Sequence, residues 1–307
     1  MILCCGEALI DMLPMQGASG QAGFQPATGG AVFNTAVALG RLGVRAGYFG
    51  GLSDDMFGQM IRADLEAAGV DCALAPVSPR PTTLAFVRLV DGQASYVFYD
   101  ENSAGRMLDT SDLPDLPSSV NTLFFGGISL VSEPCGAAFE ALARREAGRR
   151  LIMLDPNIRP GFITDEPAYR ARLEAMIALA DIVKISDEDL AWLSGEGSGE
   201  AARALLGRGP ALVCLTRGED GALAFTDQGQ AHAPAQKVTI ADTVGAGDTF
   251  NAALLARLDA LGGLGGRAAL ARLSLAEITD ALTHANAAAA ITVSRPGADP
   301  PWAREMP

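Results

Sequence analysis

Apolar residues along this chain fall into two alternating rhythms. Short runs at 122–126, 151–154, 181–185 and 211–215 read as strands, and stretches near 134–147, 167–179, 187–193 and 200–206 carry helical patterns between them. Strand then helix, repeated, predicts a mainly parallel sheet covered by helices. The N-terminal part opens in the same way. Ile2 to Ile10 reads as a strand, and Gly29-Gly30 precedes a helix in which Phe33, Val37 and Gly40 or Leu42 share one face. A second helix, Asp55 to Ala68, stops at Gly69, a residue suited to a left-handed cap.

Two stretches break this rhythm, Met12 to Thr28 and residues 82–100. In the second, the beta-prone runs Thr82 to Arg88 and Ala94 to Tyr99 flank Asp91-Gly92, a strong hairpin signal. Together they predict a small β lid (12–28 and 82–100) on an α/β core made of 1–11, 29–81 and 101–307. A lid suits chemistry from which water must be excluded.

Composition narrows the function classes. At 307 residues one large α/β core with a small accessory element is expected. A net charge of −13 disfavours nucleic acid and anionic membranes as partners and leaves small molecules. Met1 leads straight into a strand pattern and then Asp11, with no signal peptide and no membrane-length apolar run, so a cytoplasmic protein is expected. The five cysteines are scattered and mostly within apolar runs, and read as buried reduced thiols. The two histidines, His232 and His284, lack metal-ligand spacing, which argues against a zinc site or a histidine triad. Lysine occurs only at Lys184 and Lys237, and no Gly-Lys-Ser/Thr exists, so any phosphate is held without a Lys-dependent P-loop.

The segment Asp242-Thr243-Val244-Gly245-Ala246-Gly247-Asp248-Thr249-Phe250-Asn251 answers how. Two glycines and a small residue stand where a beta-rich stretch turns into the apolar helix from Phe250 to Leu261. Backbone N–H groups at such a helix start suit a phosphoryl group. Asp248 is a poor phosphate ligand because like charges repel, and fits better as the base that takes a proton from an attacking hydroxyl. A helix-capping carboxylate is the plain alternative. Small-molecule kinase chemistry is the expectation.

Together with Gly29-Gly30-Ala31-Val32-Phe33-Asn34, this segment resembles the paired signatures of the ribokinase-like PfkB carbohydrate kinases. The resemblance spans nearly the whole chain through Gly6-Glu7-Ala8-Leu9-Ile10-Asp11, Asp155-Pro156-Asn157-Ile158-Arg159, Thr216-Arg217-Gly218, Ala285-Asn286 and Arg295-Pro296-Gly297-Ala298. It implies a three-layer α/β/α domain with a β lid, and ATP-dependent, magnesium-requiring phosphorylation of a sugar hydroxyl. By that resemblance Asp248 is the base, with Gly245, Ala246 and Gly247 in the anion hole that begins at Val244. Asp11, Gly29, Gly30 and Asn34 look like sugar-side positions, and Asn157 and Arg159 like a pair near the transferring phosphate. Thr216, Gly218 and Asn286 look like nucleotide-side positions. Asp242 and the Val244 carbonyl resemble a monovalent-cation site, potassium in some members.

One departure stands out. Where many members have Asn-x-x-Glu, this chain has Ser186-Asp187-Glu188-Asp189. Ser186 with Asp189, or Glu188 instead, would serve water-mediated magnesium, and the residues leave that choice open.

For the substrate, ketodeoxygluconate kinases tend to carry Tyr-Arg where this chain has Tyr99-Asp100. An acid there would repel a sugar acid, so a neutral ketose, fructose, is expected, and the C-terminal tail also looks like bacterial fructokinases. Ketodeoxygluconate or a nucleoside is the alternative within the family, and an idle sugar or nucleotide sensor is one from another class. No Gly-x-Gly-x-x-Gly follows the first strand, which leaves a dinucleotide oxidoreductase little support. Exposed lid edges lead to the expectation of a homodimer through the lid.

Overall fold

The computed structural model describes residues 1–17, 20–90 and 93–307. In chain order its strands are β1 (Ile2–Cys5), β2 (Leu9–Gln16), β3 (Ala22–Gly29), β4 (Ala46–Phe49), β5 (Leu52–Ser53), β6 (Val77–Ser78), β7 (Leu84–Val90), β8 (Gln93–Tyr99), β9 (Thr122–Gly126), β10 (Leu151–Asp155), β11 (Ile182–Ser186), β12 (Leu212–Thr216), β13 (Ala222–Thr226) and β14 (Gly229–Ala233). Its helices are α1 (Ala31–Arg41), α2 (Met56–Ala67), α3 (Cys135–Glu146), α4 (Glu166–Leu179), α5 (Asp187–Ser194), α6 (Gly199–Ala204), α7 (Ala246–Ala260), α8 (Arg267–Ala271) and α9 (Leu275–Val293).

An 8-stranded sheet in the order β14-β13-β12-β11-β10-β9-β1-β4 forms the middle layer. Every pairing from β12 through β4 is parallel, and β13 and β14 add an antiparallel edge. Successive strand side chains point to opposite faces, so each buried strand feeds two cores. Leu3, Cys5, Phe125, Leu154 and Ile185 pack with residues of α3 and α4. Ile2, Cys4, Phe124, Met153 and Ile182 pack on the other side with α1, α7 and α9. Helices on both faces make the three layers, a ribokinase-like α/β/α fold.

A separate 4-stranded sheet, β3-β2-β7-β8, stands beside this core. The run Ile2 to Ile10 is therefore two strands in two sheets. The break falls at Gly6, where a Cβ would come within 2.5 Å of Val32 Cγ2, so the chain passes under α1 only without a side chain. Asp91-Gly92 lies outside the described residues. The strands on either side pair antiparallel from Leu84 against Tyr99 to Val90 against Gln93.

All five cysteines are buried and unpaired. Among the described residues no helix is long and apolar enough to cross a membrane.

Candidate active site

After β1 the chain moves to β4 on one side and later returns to β9 on the other, leaving a crevice at the carboxyl ends of β1 and β9. A cleft of about 400 Å³ opens there. Glu7 follows β1, Gly127 follows β9, and Asn157 and Arg159 follow β10, all in its walls. Lys184 and the turn from Thr243 to Asp248 form its deep wall, and Leu9, Asp11 and Phe98 of the small sheet close the other side.

The deep wall is built around the start of α7. Gly245 is left-handed at φ 77°, and an added Cβ would lie 2.6 Å from Ala298 Cβ, so both backbone and packing demand glycine. Asp242 holds this turn to the C-terminal loop, accepting Val244 N–H at 3.0 Å and Gly297 N–H at 2.9 Å. The helix proper begins at Ala246, and the N–H groups of Gly247 and Asp248, in its first turn, have no acceptor within the helix. Asp248 is buried, and its carboxylate accepts 2.9 Å from Asn34 Nδ2 on α1. Burial pushes this carboxyl up to about 7, against the opposing effect of the Asn34 hydrogen bond. A carboxylate poised near neutrality suits a general base.

Beneath that turn lies a buried ion pair. Lys184 Nζ is 3.0 Å from Asp155 Oδ2, which also accepts from Asn251 Nδ2 at 2.6 Å. Burial alone would lower the lysine, but Asp155, with Asp189 and Asp248 nearby, holds it above its usual value. Asn157, just beyond, has φ 42°, a left-handed conformation that Asn tolerates, and its N–H reaches Asp155 Oδ1 at 3.3 Å. Arg159 donates to the Ile158 carbonyl at 3.0 Å.

The shallow wall depends on α1. Its N-cap, Gly30, has φ 105° and no side chain to satisfy the helix start. Glu7 takes that role from another element, accepting Ala31 N–H at 2.9 Å, Val32 N–H at 3.4 Å and Ser129 Oγ at 2.9 Å. Burial raises the Glu7 carboxyl, with these hydrogen bonds opposing it. A Cβ at Gly29 would lie 2.2 Å from Asp11 Oδ2, so Gly29 makes room for the Asp11 carboxylate rather than lining the cleft. Burial lifts Asp11 to about 6.

Other sequence candidates lie apart. Ser186 caps α5, accepting from Asp189 N–H at 3.0 Å, and Asp189 Oδ1 accepts from Ile158 N–H at 3.1 Å. Burial and neighbouring Asp155 lift Asp189 to about 6, while Glu188 is exposed. Among the described residues no cluster of three or more His, Cys, Asp or Glu could hold a metal by itself. Thr216 ends β12 and Gly218 follows at φ 50°, outside the walls of this cleft. Asn286 is also outside, its amide donating to the Ala233 and Pro234 carbonyls at 3.0 Å each. Asp100 does not face the cleft either. It pairs with Arg106 at 3.0 Å and accepts from Ser132 Oγ, so its charge is compensated and the repulsion of a sugar acid expected from it does not act there.

Sequence reasoning assigned no role to Glu7, Asp155, Lys184 or Phe98. A lone lysine inside the apolar strand Val183-Lys184-Ile185 was the available signal, because lysine is almost never buried unpaired.

Fold and cleft together are those of a ribokinase-like sugar phosphotransferase. Residues 1–304 match the pfkB family carbohydrate kinase model, and the chain belongs to that family. A fructokinase of Rhizobium leguminosarum bv. trifolii is 54% identical over 259 residues, 84% of this chain and 79% of the relative. The crystal structure of a fructokinase with bound ATP from Xylella fastidiosa matches 100% of this chain and 94% of its own at 29% identity and TM-score 0.88. A Vibrio cholerae O395 fructokinase, bound to fructose, ADP and calcium ion, matches 97% of this chain and 94% of its own at 30% identity and TM-score 0.83.

Proposed function

We propose that this sugar kinase transfers the γ-phosphoryl group of ATP to a hydroxyl of fructose. The observation that carries the reading is Asp248, buried at the start of α7, held by Asn34 and open to the cleft. The fructokinases similar to this chain support fructose as the sugar and ATP as the donor.

In this mechanism the sugar lies against Asp11, Asn34 and the Gly30 backbone, and Gly29 leaves space for the Asp11 carboxylate. Asp248 takes the hydroxyl proton as the oxygen attacks. The N–H groups of Gly245 and Gly247, at the turn where α7 begins, receive the charge that develops on the phosphoryl oxygens, in the dry setting where such donors count most. Asn157 and Arg159 approach from the β10 side. The nucleotide extends toward Thr216, Gly218 and Asn286 along the carboxyl edge of the sheet.

Magnesium, brought in with the nucleotide, supplies charge neutralisation on the phosphates. The donors fit that mode, since the Asp189 carboxylate accepts one backbone N–H, from Ile158, through Oδ1, and an ion that keeps its waters needs few protein ligands. Ser186 is taken up as a cap and Glu188 points to solvent, so Asp189 is the working carboxylate of that group. A potassium ion beside Asp242 would draw on the Val244 carbonyl, because backbone N–H groups already occupy both Asp242 oxygens.

The small sheet acts as the lid. Its cleft-facing side carries Leu9, Asp11 and Phe98, and Phe98 stacks edge-on against Phe162 of the core at 4.8 Å. On its other side Phe24, Phe86 and Tyr99 form an edge-to-face row at 5.0 and 5.4 Å, with Phe24 48% and Tyr99 61% exposed. A second copy pairing through this face would cover the row and give a homodimer.

The test is ADP release with ATP and magnesium across fructose, ketodeoxygluconate, ribose, adenosine and a no-sugar control. Release with fructose well above the others is expected. Preference for another acceptor would replace fructose, and no release above the control from folded protein would move the reading to a sensor.

A further inference from the structure

We propose that Lys184 contacts the transferring phosphoryl group and stabilises its charge, with Asp155 and Asn251 holding the ammonium in place. The inference rests on the kinase reading above and adds a residue to it.

Strand periodicity explains how a lysine comes to be there. Ile182 packs in the core that contains α7, so Lys184, two residues on, faces the same layer. On β10 the corresponding alternation runs through Met153 to Asp155. The register sets Met153 against Ile182 and Leu154 against Val183, which brings Asp155 abreast of Lys184. Both charges therefore sit under the first turn of α7, where Asn251 reaches down to Asp155.

The ammonium is more than a counterion to Asp155. It lies in the wall of the cleft, and a Cβ built on Gly247 would be 3.3 Å from Nζ, so the charge rests against the turn that begins α7. A lysine has three N–H donors, and among the described residues Asp155 is the one hydrogen-bond partner of Lys184. Two donors remain for a ligand. The cleft walls hold Glu7, Asp11 and Asp248 but, among the described residues, only Lys184 and Arg159 as cations. A triphosphate entering so acidic a site needs fixed positive charge near the atom that reacts, and Lys184 is the cation packed against the helix turn beside Asp248.

In the transfer the sugar oxygen forms a bond to the γ-phosphorus as its proton passes to Asp248. The bond from phosphorus to the bridging oxygen breaks, and its electron pair leaves with ADP. Lys184 forms and breaks no bond. It holds charge on a non-bridging oxygen while the phosphoryl group is between the two, an interaction worth most in the transition state.

The test compares wild type with Lys184→Met, Asp155→Asn and the double variant in kcat, in KM for ATP and fructose, and in affinity for ADP with aluminium fluoride and fructose, a planar mimic of the moving group. Lys184→Met leaves a buried carboxylate unpaired and is the variant at risk of misfolding, and the double variant removes that charge. Both lysine variants are expected to lose about 10²- to 10³-fold in kcat, the scale of one transition-state donor. Analogue affinity should fall in parallel, with KM and plain ADP binding within about threefold, as expected for an interaction made only in the transition state. Asp155→Asn should lose much less. Recovery of kcat in the double variant would show that the lysine only neutralises Asp155, and an unchanged analogue affinity in folded lysine variants would make its role structural. Either result overturns the proposal while leaving the kinase reading intact, whereas an inactive wild type sinks both.

Discussion

The two walls of the cleft are built on opposite principles. The deep wall, from β10, β11 and α7, carries buried Asp155, Lys184, Asn251 and Asp248, linked by hydrogen bonds or proximity and roofed by a turn that accepts only glycine at 245. The shallow wall, from the small sheet and the start of α1, carries Asp11 and Phe98, which are only partly buried, and an outer face with exposed aromatic residues. A buried polar network is rigid and costly to disturb, whereas a half-exposed sheet adjusts cheaply. In the proposed mechanism this difference assigns the chemistry to the deep wall and substrate capture to the shallow one.

The sharpest way to break this division is Asp248→Ala, for which a kcat loss of about 10²- to 10⁴-fold is expected with KM for fructose little changed. A loss confined to KM would move Asp248 to the binding side. Because burial lifts this carboxyl to about 7, kcat/KM of the wild type should fall about tenfold per pH unit below that point.

Stability gives the opposite sign for the same residue. Between its ordinary value of 3.8 and about 7 the folded protein holds a proton that the unfolded chain has released, so stability declines as pH rises through that window. Asp248→Asn should therefore unfold at a higher temperature than wild type above pH 7, by about 2–4 °C for each kcal/mol relieved, and the gain should vanish below about pH 4. A melting temperature below that of wild type at pH 8 would contradict the burial penalty.

Gly245→Ala tests the rigidity of the deep wall. The left-handed conformation costs about 1–2 kcal/mol and the clash with Ala298 about 1–3 more, so thermal denaturation should show a drop of roughly 4–20 °C. A drop under 1 °C would mean that the turn is pliant.

On the shallow wall Asp11→Asn should raise KM for fructose about 10-fold, the scale of one charge-assisted hydrogen bond, with kcat within about threefold. An equal loss in kcat would erase the distinction between the walls. The smallest effect belongs to the outer face. Phe24→Ser with Tyr99→Ser should leave kcat within about twofold, as surface changes do, and convert a dimer to monomer in analytical ultracentrifugation. A monomeric wild type would remove the proposed pairing.

Much of this was legible in the chain itself. Apolar runs at 122–126 and 151–154 are nearly the observed β9 and β10, because strands buried on both faces have few other sequences open to them. Asp55 and Gly69 bracket α2 as caps do, through local hydrogen bonds and a positive φ that need no tertiary partner. The Gly-Ala-Gly-Asp turn was visible for the same reason, since backbone freedom and a helix start are written in neighbouring residues.

What the chain did not disclose depends on contacts between distant segments. Ile2 to Ile10 looks like one strand until Val32 packs over Gly6 and divides it between two sheets. Asp100 looked like a charge facing the substrate until the fold set Arg106 and Ser132 against it. Glu7 caps a helix 24 residues away, and Lys184 meets an aspartate 29 residues distant in sequence. Sequence by itself determined most of the elements and the family, and supplied the residue types that the proposed phosphoryl transfer uses, because periodicity and turn chemistry are local. Tertiary structure alone decided which charges are buried, paired or turned to the cleft, because burial and pairing belong to segments that meet only when the chain folds.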